Sequence, residues 1–339
     1  MKIVSLSENK DLEKRVAITP EIVKKYSSIG FQVFLPTNYA IHLGFTDEEY
    51  KSQGANIVTS ESDLLKDSNV IVQLGLPSDD YLEKFKENQN LIGVLNPYLN
   101  REKLQNLSKK KINNFSLELL PRITRAQSMD VLSSMANISG YRAVTEAAHN
   151  FGRLFTGQIT AAGRIPPAKV LVIGAGVAGL SAIGCAQSLG AIVRAFDIRA
   201  GVREEVKSMG AEYLELDFKE DGSGEGGYGK SMSKEFINAE KKLFAEQAKE
   251  VNIIITTAAI PGKKSPVLIT KEMVESMIPG SVIVDLAAEG GGNCELMKPG
   301  EFRVYKKVTI IGFTDLPSRL PTQASQLFSN NLTKLIQYL

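Results

Sequence analysis

"KVLVIGAGVAGL", Lys169 to Leu180, carries a short apolar run straight into closely spaced glycines and then into small, helix-compatible residues. An apolar run that stops at glycine and resumes as a helix reads as strand, turn and helix, the opening of a βαβ crossover. Gly174, Gly176 and Gly179 stand in G-x-G-x-x-G spacing. The first glycine permits the tight bend, the second lets backbone approach a pyrophosphate, and the third allows close packing of helix on strand. Val177 and Ala178 fall at the start of the helix, where a phosphate charge is stabilised. Asp197 ends the next apolar run, in "VRAFDIR", with Ile198 and Arg199 directly after it. A carboxylate there accepts hydrogen bonds from the adenosine ribose and repels a 2′-phosphate, so the unit is expected to bind NAD(H) in preference to NADP(H). Arg194 and Arg199 are either solvated surface charges or groups that accommodate a phosphate.

Working outward, four further apolar runs, "AIVRAFD", "NIIITTAAI", "SVIVDLAAE" and "VTIIGF", have the near-continuous hydrophobicity of strands buried on both faces. "TAAGRIPPAKV" reads as the turn before this series. The first third of the chain alternates "KIVSL", "FQVFLP", "NVIVQLGLP", "NLIGVLNPY" and "INNFSLELL" with charged helical stretches, a second set of βαβ units. With 339 residues, two cores are expected rather than one. The fold class is therefore α/β: two Rossmann-like, doubly wound parallel-sheet domains separated by a cleft. "VLSSMANISGYRAVTEAAHNFGRLF" reads as a long connecting helix, with Ser128 as its N-cap, Asp130 in the first turn, and Ala143, Val144, Ala147 and Ala148 on one face. "QASQLFSNNLTKLIQYL" reads as an amphipathic helix returning to the first domain. The expected boundaries are residues 1–132 with 313–339 for the N-terminal domain and 133–312 for the NAD(H)-binding domain.

Composition narrows the function. Lys and Arg total 40 against 38 Asp and Glu, so no general electrostatic reason exists to bind nucleic acid or an anionic membrane. Two cysteines, Cys185 and Cys294, cannot build a disulfide framework, and His42 and His149 are too few for a metal cluster. No signal peptide is expected at the N-terminus, and the uncharged stretch from Val170 to Ala186 is too short and glycine-broken for a membrane span. "FKEDGSGEGGYGKSMSKEF", Phe218 to Phe236, interrupts the rhythm: it is either a lid, with Tyr228 and Met232 to close it, or a tolerated insertion. The loops "TTAAIPGKKSP", containing Ala259, and "DLAAEGGGNC", containing Glu289, follow strands at the ligand-binding edge of an open sheet.

"ENKDLEKRVAITPE", "PRITRAQSMDVLSS", "GYRAV", "AAGRIPPAKVLVIGAGVAGL", "PGKKSPVLIT" and "DLAAEGGGNC" closely resemble the alanine dehydrogenase and pyridine-nucleotide transhydrogenase superfamily over nearly the whole chain. "RITRAQSMD" resembles the signature loop of domain I, the NAD(H)-binding component of proton-translocating transhydrogenase. The resemblance implies that Arg122, Gln127 and Asp130 surround the nicotinamide and its ribose, Ser133 lies near the carboxamide, and Tyr228 belongs to a mobile loop over the nucleotide. It implies that Gln127 reaches toward NADP(H) held by a partner domain. It further implies a homodimer attached on the cytoplasmic side to membrane-embedded, proton-conducting subunits. Where the dehydrogenases carry a substrate lysine and a catalytic histidine, this chain has Gln73 and Asn100, amides that do not titrate usefully. Arg15 is shared, and Glu289 replaces a shorter acid. The expected function is direct hydride transfer between NADH and NADP⁺ on a partner, coupled by membrane subunits to proton translocation. An alanine-dehydrogenase-like oxidoreductase and a non-catalytic NAD sensor are the alternatives.

Overall fold

A computed structural model describes residues 1–216, 220, 222, 224, 232–259 and 264–339. The chain forms two compact units, Met1–Met135 with Pro317–Leu339, and Ala136–Leu316.

The first unit carries β1 Lys2–Val4, β2 Gln32–Pro36, β3 Asn56–Val58, β4 Val70–Gly75, β5 Asn90–Val94 and β6 Asn113–Ser116, in the order β3-β2-β1-β4-β5-β6. Every pairing is parallel. Alternation along each strand divides the core between the two faces. Ile3, Val70 and Val72 join one cluster with Phe328 and Leu332 of the helix Pro321–Tyr338, while Val4 and Ile71 join another with Leu107 of the helix Arg101–Lys109. Strand β3 escapes the sequence reading because "NIV" is too short to show a period.

The second unit holds β7 Gln158–Thr160, β8 Gly163–Ile165, β9 Lys169–Ile173, β10 Ile192–Phe196, β11 Glu212–Tyr213, β12 Ile253–Thr256, β13 Val282–Asp285, β14 Phe302–Tyr305 and β15 Val308–Ile311. Its main sheet runs β11-β10-β9-β12-β13-β15-β14. All pairs are parallel except the edge hairpin of β14 with β15, which turns through Lys306 and Lys307, both at positive φ. Val170 and Val172 face one apolar cluster and Leu171 and Ile173 the other, which is why the run is apolar throughout. At β9 the winding reverses, placing the ends of β9 and β12 side by side with Ile173 opposite Thr256. Open α/β sheets bind their ligands beyond such an edge.

Two local expectations need correction. "TAAGRIPPAKV" is not merely a turn: Gly163–Ile165 pairs antiparallel with Gln158–Thr160, leaving only Ala161 and Ala162 as the tip. The long helix covers Val131–Asn150, and Ser128 does not cap it. Ser128 lies inside a preceding 3-10 helix, Thr124–Met129, and Asp130 takes the capping position. Its Oδ1 accepts the Ser133 N–H at 2.9 Å and its Oδ2 the Ser133 hydroxyl at 2.6 Å. The two carboxylate oxygens satisfy both donors at once.

Candidate functional site

The glycine turn follows β9 directly. Gly174 has φ 95°, and a Cβ there would overlap the Thr257 hydroxyl, which donates to the Gly174 carbonyl at 3.1 Å. A Cβ on Gly179 would overlap the Gly174 carbonyl oxygen, so the helix Val177–Ser188 approaches the turn at backbone contact. Around Gly176 the space is open, with the Arg199 guanidinium nearest at 3.9 Å from an added Cβ. No side chain caps this helix. The amides of Val177, Ala178 and Gly179 therefore remain for an anion, and the residues fit a dinucleotide pyrophosphate.

Asp197 sits at the end of β10, 7% exposed, and is already well occupied. Its Oδ2 accepts the Ala175 N–H at 2.7 Å and Arg199 Nη2 at 2.8 Å. Its Oδ1 accepts the Arg199 N–H at 2.8 Å and Nε at 2.9 Å. The carboxylate thus ties the glycine turn to the loop carrying Ile198, while the side-chain hydrogen bond to Asp197 raises the Arg199 pKa. Four donors use the usual acceptor capacity of a carboxylate. A ribose hydroxyl must displace or share the Arg199 guanidinium, which neutralises part of the charge that would repel a 2′-phosphate.

The sequence reading missed the scaffold beneath the neighbouring loops. Asp285, fully buried at the end of β13, accepts N–H groups from Ala287, Asn293 and Cys294 at 3.0, 2.6 and 2.8 Å. Burial raises its pKa against those hydrogen bonds. Asn293 then brackets Ala258, accepting its N–H at 3.0 Å and donating to its carbonyl at 2.9 Å. This brace holds the stretch ending at exposed Ala259 beside the turn that bears exposed Glu289. Polar residues inside "DLAAEGGGNC" were the available signal. Tyr228 lies outside the described residues. Burial pushes the Cys294 thiol up to about 12 and raises that of Cys185, leaving neither poised as a nucleophile.

In the first unit, Ala126 and Met129 bury the 3-10 turn, and Asn331 Nδ2 donates to the Ser128 carbonyl at 2.8 Å. Arg122 and Gln127 are exposed, whereas Asp130 and Ser133 are bonded to each other. Ser133 therefore donates its hydroxyl to Asp130 rather than presenting it free. At the β1–β4 switch point, buried Gln73 is committed locally: its Oε1 accepts from Ser5 Oγ at 2.9 Å and the Leu6 N–H at 2.7 Å, and its Nε2 donates to Glu8 at 3.1 Å. Arg15 is held by Glu13 through Nε at 2.8 Å and Nη2 at 2.6 Å. Asn100 donates to the Leu95 carbonyl at 2.9 Å.

Family models described as alanine dehydrogenase/PNT, N-terminal and C-terminal domains, match residues 5–139 and 143–339. NAD(P) transhydrogenase subunit alpha from Haemophilus influenzae is 55% identical over 96% of this chain, which spans 64% of that protein's length. The subunit of the same name from Cereibacter sphaeroides is 47% identical over 99% of this chain, which spans 65% of its length. A solved transhydrogenase from Sinorhizobium meliloti superposes with a TM-score of 0.88 at 37% identity, covering 99% of this chain and 93% of that one. A solved L-alanine dehydrogenase gives 0.84 at 25% identity, over 99% and 89%. With both family models matched in tandem and the glycine turn intact, the chain belongs to the alanine dehydrogenase/PNT family.

Proposed function

We propose that this chain is the NAD(H)-binding component of a transhydrogenase, passing hydride between NADH and NADP⁺ held on a partner domain. The observation that carries the reading is the open Gly176 turn with an uncapped helix behind it and the Asp197 carboxylate beside it. The dihydronicotinamide supplies the hydride, and no proton changes hands between the two rings. The protein's part is to orient a ring, fix the ribose and keep water out. Arg122, Gln127, Asp130 and Ser133 take those roles in this reading, together with Tyr228 and the loops holding Ala259 and Glu289.

Local geometry disfavours amino-acid dehydrogenation. Gln73 and Asn100 spend their amides on neighbouring groups, and Arg15 is neutralised by Glu13. None is placed to exchange a proton or clamp a carboxylate without first breaking those bonds. No helix among the described residues is long and apolar enough to cross a membrane. In this reading, coupling to proton movement belongs to membrane-embedded parts of the transhydrogenase assembly. The hairpin of β7 and β8, with Ile159 87% exposed, supports a homodimer that covers it.

The decisive experiment mixes this protein with an NADPH-loaded transhydrogenase partner domain and an NAD⁺ analogue of distinct absorbance. Hydride transfer requiring both proteins is expected; no transfer, with the partner active and nucleotide bound, rejects the reading. In that assay Gln127→Asn should spare NADH binding and slow transfer several-fold; equal loss of binding would show that Gln127 serves NADH itself. Asp197→Asn should reduce the preference for NADH over NADPH by about tenfold in paired fluorescence titrations, the scale of one charge-assisted hydrogen bond. An unchanged ratio would remove Asp197 from nucleotide selection.

A further inference from the structure

Strand β6 ends the order of the first sheet, and among the described residues its outer edge pairs with no other strand. Along that edge opens a cavity of about 650 Å³. The helix Arg101–Lys109 contributes Leu104 from one face of the sheet, and the C-terminal helix contributes Leu335 from the other. The cavity therefore occupies the slot between two helical layers where a further strand would lie. Its size falls within the range of small-molecule sites, and its walls are mainly apolar. Leu119 and Ile123, both lining it, are more than half exposed.

Its charged side chains are both arginines. Arg101 and Arg125 line the cavity together with Leu339, and among the described residues no aspartate or glutamate does. Neither guanidinium forms an ion pair with any described residue; Arg125 Nη1 makes only a long hydrogen bond to the Tyr338 hydroxyl, at 3.4 Å. Exposed apolar walls favour an aliphatic body, and two uncommitted guanidinium forks favour a planar anion at its end.

We propose that this slot binds a single-chain aliphatic carboxylate, its tail lying between Leu104 and Leu335 and its head group on Arg101 and Arg125. Arg125, Ala126 and Met129 on the wall belong to the same 3-10 turn as Gln127. Occupancy would thus stiffen the turn from behind. Binding in this slot does not depend on hydride transfer.

The test is calorimetric titration of the full chain with dodecanoate below its micelle concentration, beside dodecyltrimethylammonium as a cationic control of equal tail length. Saturable binding of one dodecanoate per chain is expected, weakened about tenfold or more by Arg101→Glu and lost in Leu104→Trp, which fills the slot. NADH titration of both variants verifies that they remain folded. Absence of saturable binding, equal affinity across the three proteins, or equally tight binding of the cation would each overturn the assignment.

Discussion

Gly140→Ala is expected to destabilise the second unit by roughly 2 kcal/mol and to weaken NADH binding about tenfold, although alanine is the better helix former by about 1 kcal/mol. Gly140 lies in the helix Val131–Asn150 where that helix meets Val177–Ser188. A Cβ there would overlap the Ala178 carbonyl oxygen and stand 2.9 Å from both the Ala178 carbonyl carbon and the Ser181 Cβ. The contact is already tight: Ser181 Oγ donates to the Asn137 carbonyl at 2.7 Å. The obstacle is backbone in the first turn behind the glycine loop, so relief requires moving the uncapped amides that the proposed function assigns to the pyrophosphate. Thermal melts and NADH titrations check both effects. Gly152→Ala, with nothing within 4 Å of the added carbon, is the control and should be near neutral. If Gly140→Ala instead raises stability by its helix propensity, the close approach is not a constraint.

Glu8→Gln should stabilise the protein at pH 8 by up to about 3 kcal/mol and leave it nearly unchanged at pH 4. Burial is the dominant cause that pushes the Glu8 carboxyl up to about 7, and nearby Glu13 adds to it; the Leu74 N–H, donating at 3.1 Å, and Arg15 oppose the shift. A raised carboxyl pKa means that the folded chain holds this proton after the unfolded chain has released it. The site therefore costs stability progressively as pH rises from about 4.5 to about 7, and the cost levels off above that. Glutamine retains an oxygen for the Leu74 and Gln73 donors but carries no charge to desolvate. Urea titrations of both proteins at intervals across this range provide the measurement. Parallel stability curves between pH 5 and 8 would show that Glu8 titrates normally. Glu240, between Phe236 and Phe244 on the inner face of the helix Lys234–Ala248, is raised in the same direction by burial, so the Glu8→Gln protein should still lose some stability as pH rises.

The glycine turn is legible in the sequence because its constraints are local. Three glycines at fixed spacing after an apolar run admit few other structures, and an acid closing the following run completes the pattern. Asp197 directly follows β10, where the spacing puts it, but its engagement by Arg199 is not legible: nothing in "DIR" says whether the arginine turns outward or back onto its neighbour. The cap was misassigned for a similar reason. Ser128 and Asp130 are both good cap residues, and only the 3-10 turn, seated on the C-terminal helix, selects between them.

The sequence by itself determined the α/β class, the winding of two parallel sheets, the glycine turn and the family, since each rests on side-chain period or residue spacing within a short window. Tertiary structure alone decided what depends on distant segments meeting. Gln73 is locked by Ser5 and Glu8, more than sixty positions away; Asn293 braces Ala258; Gly140 abuts Ala178; and the edge of β6 faces an apolar slot closed by the last helix. Residue spacing cannot report such contacts, because they arise only when the chain has folded both layers onto their sheet.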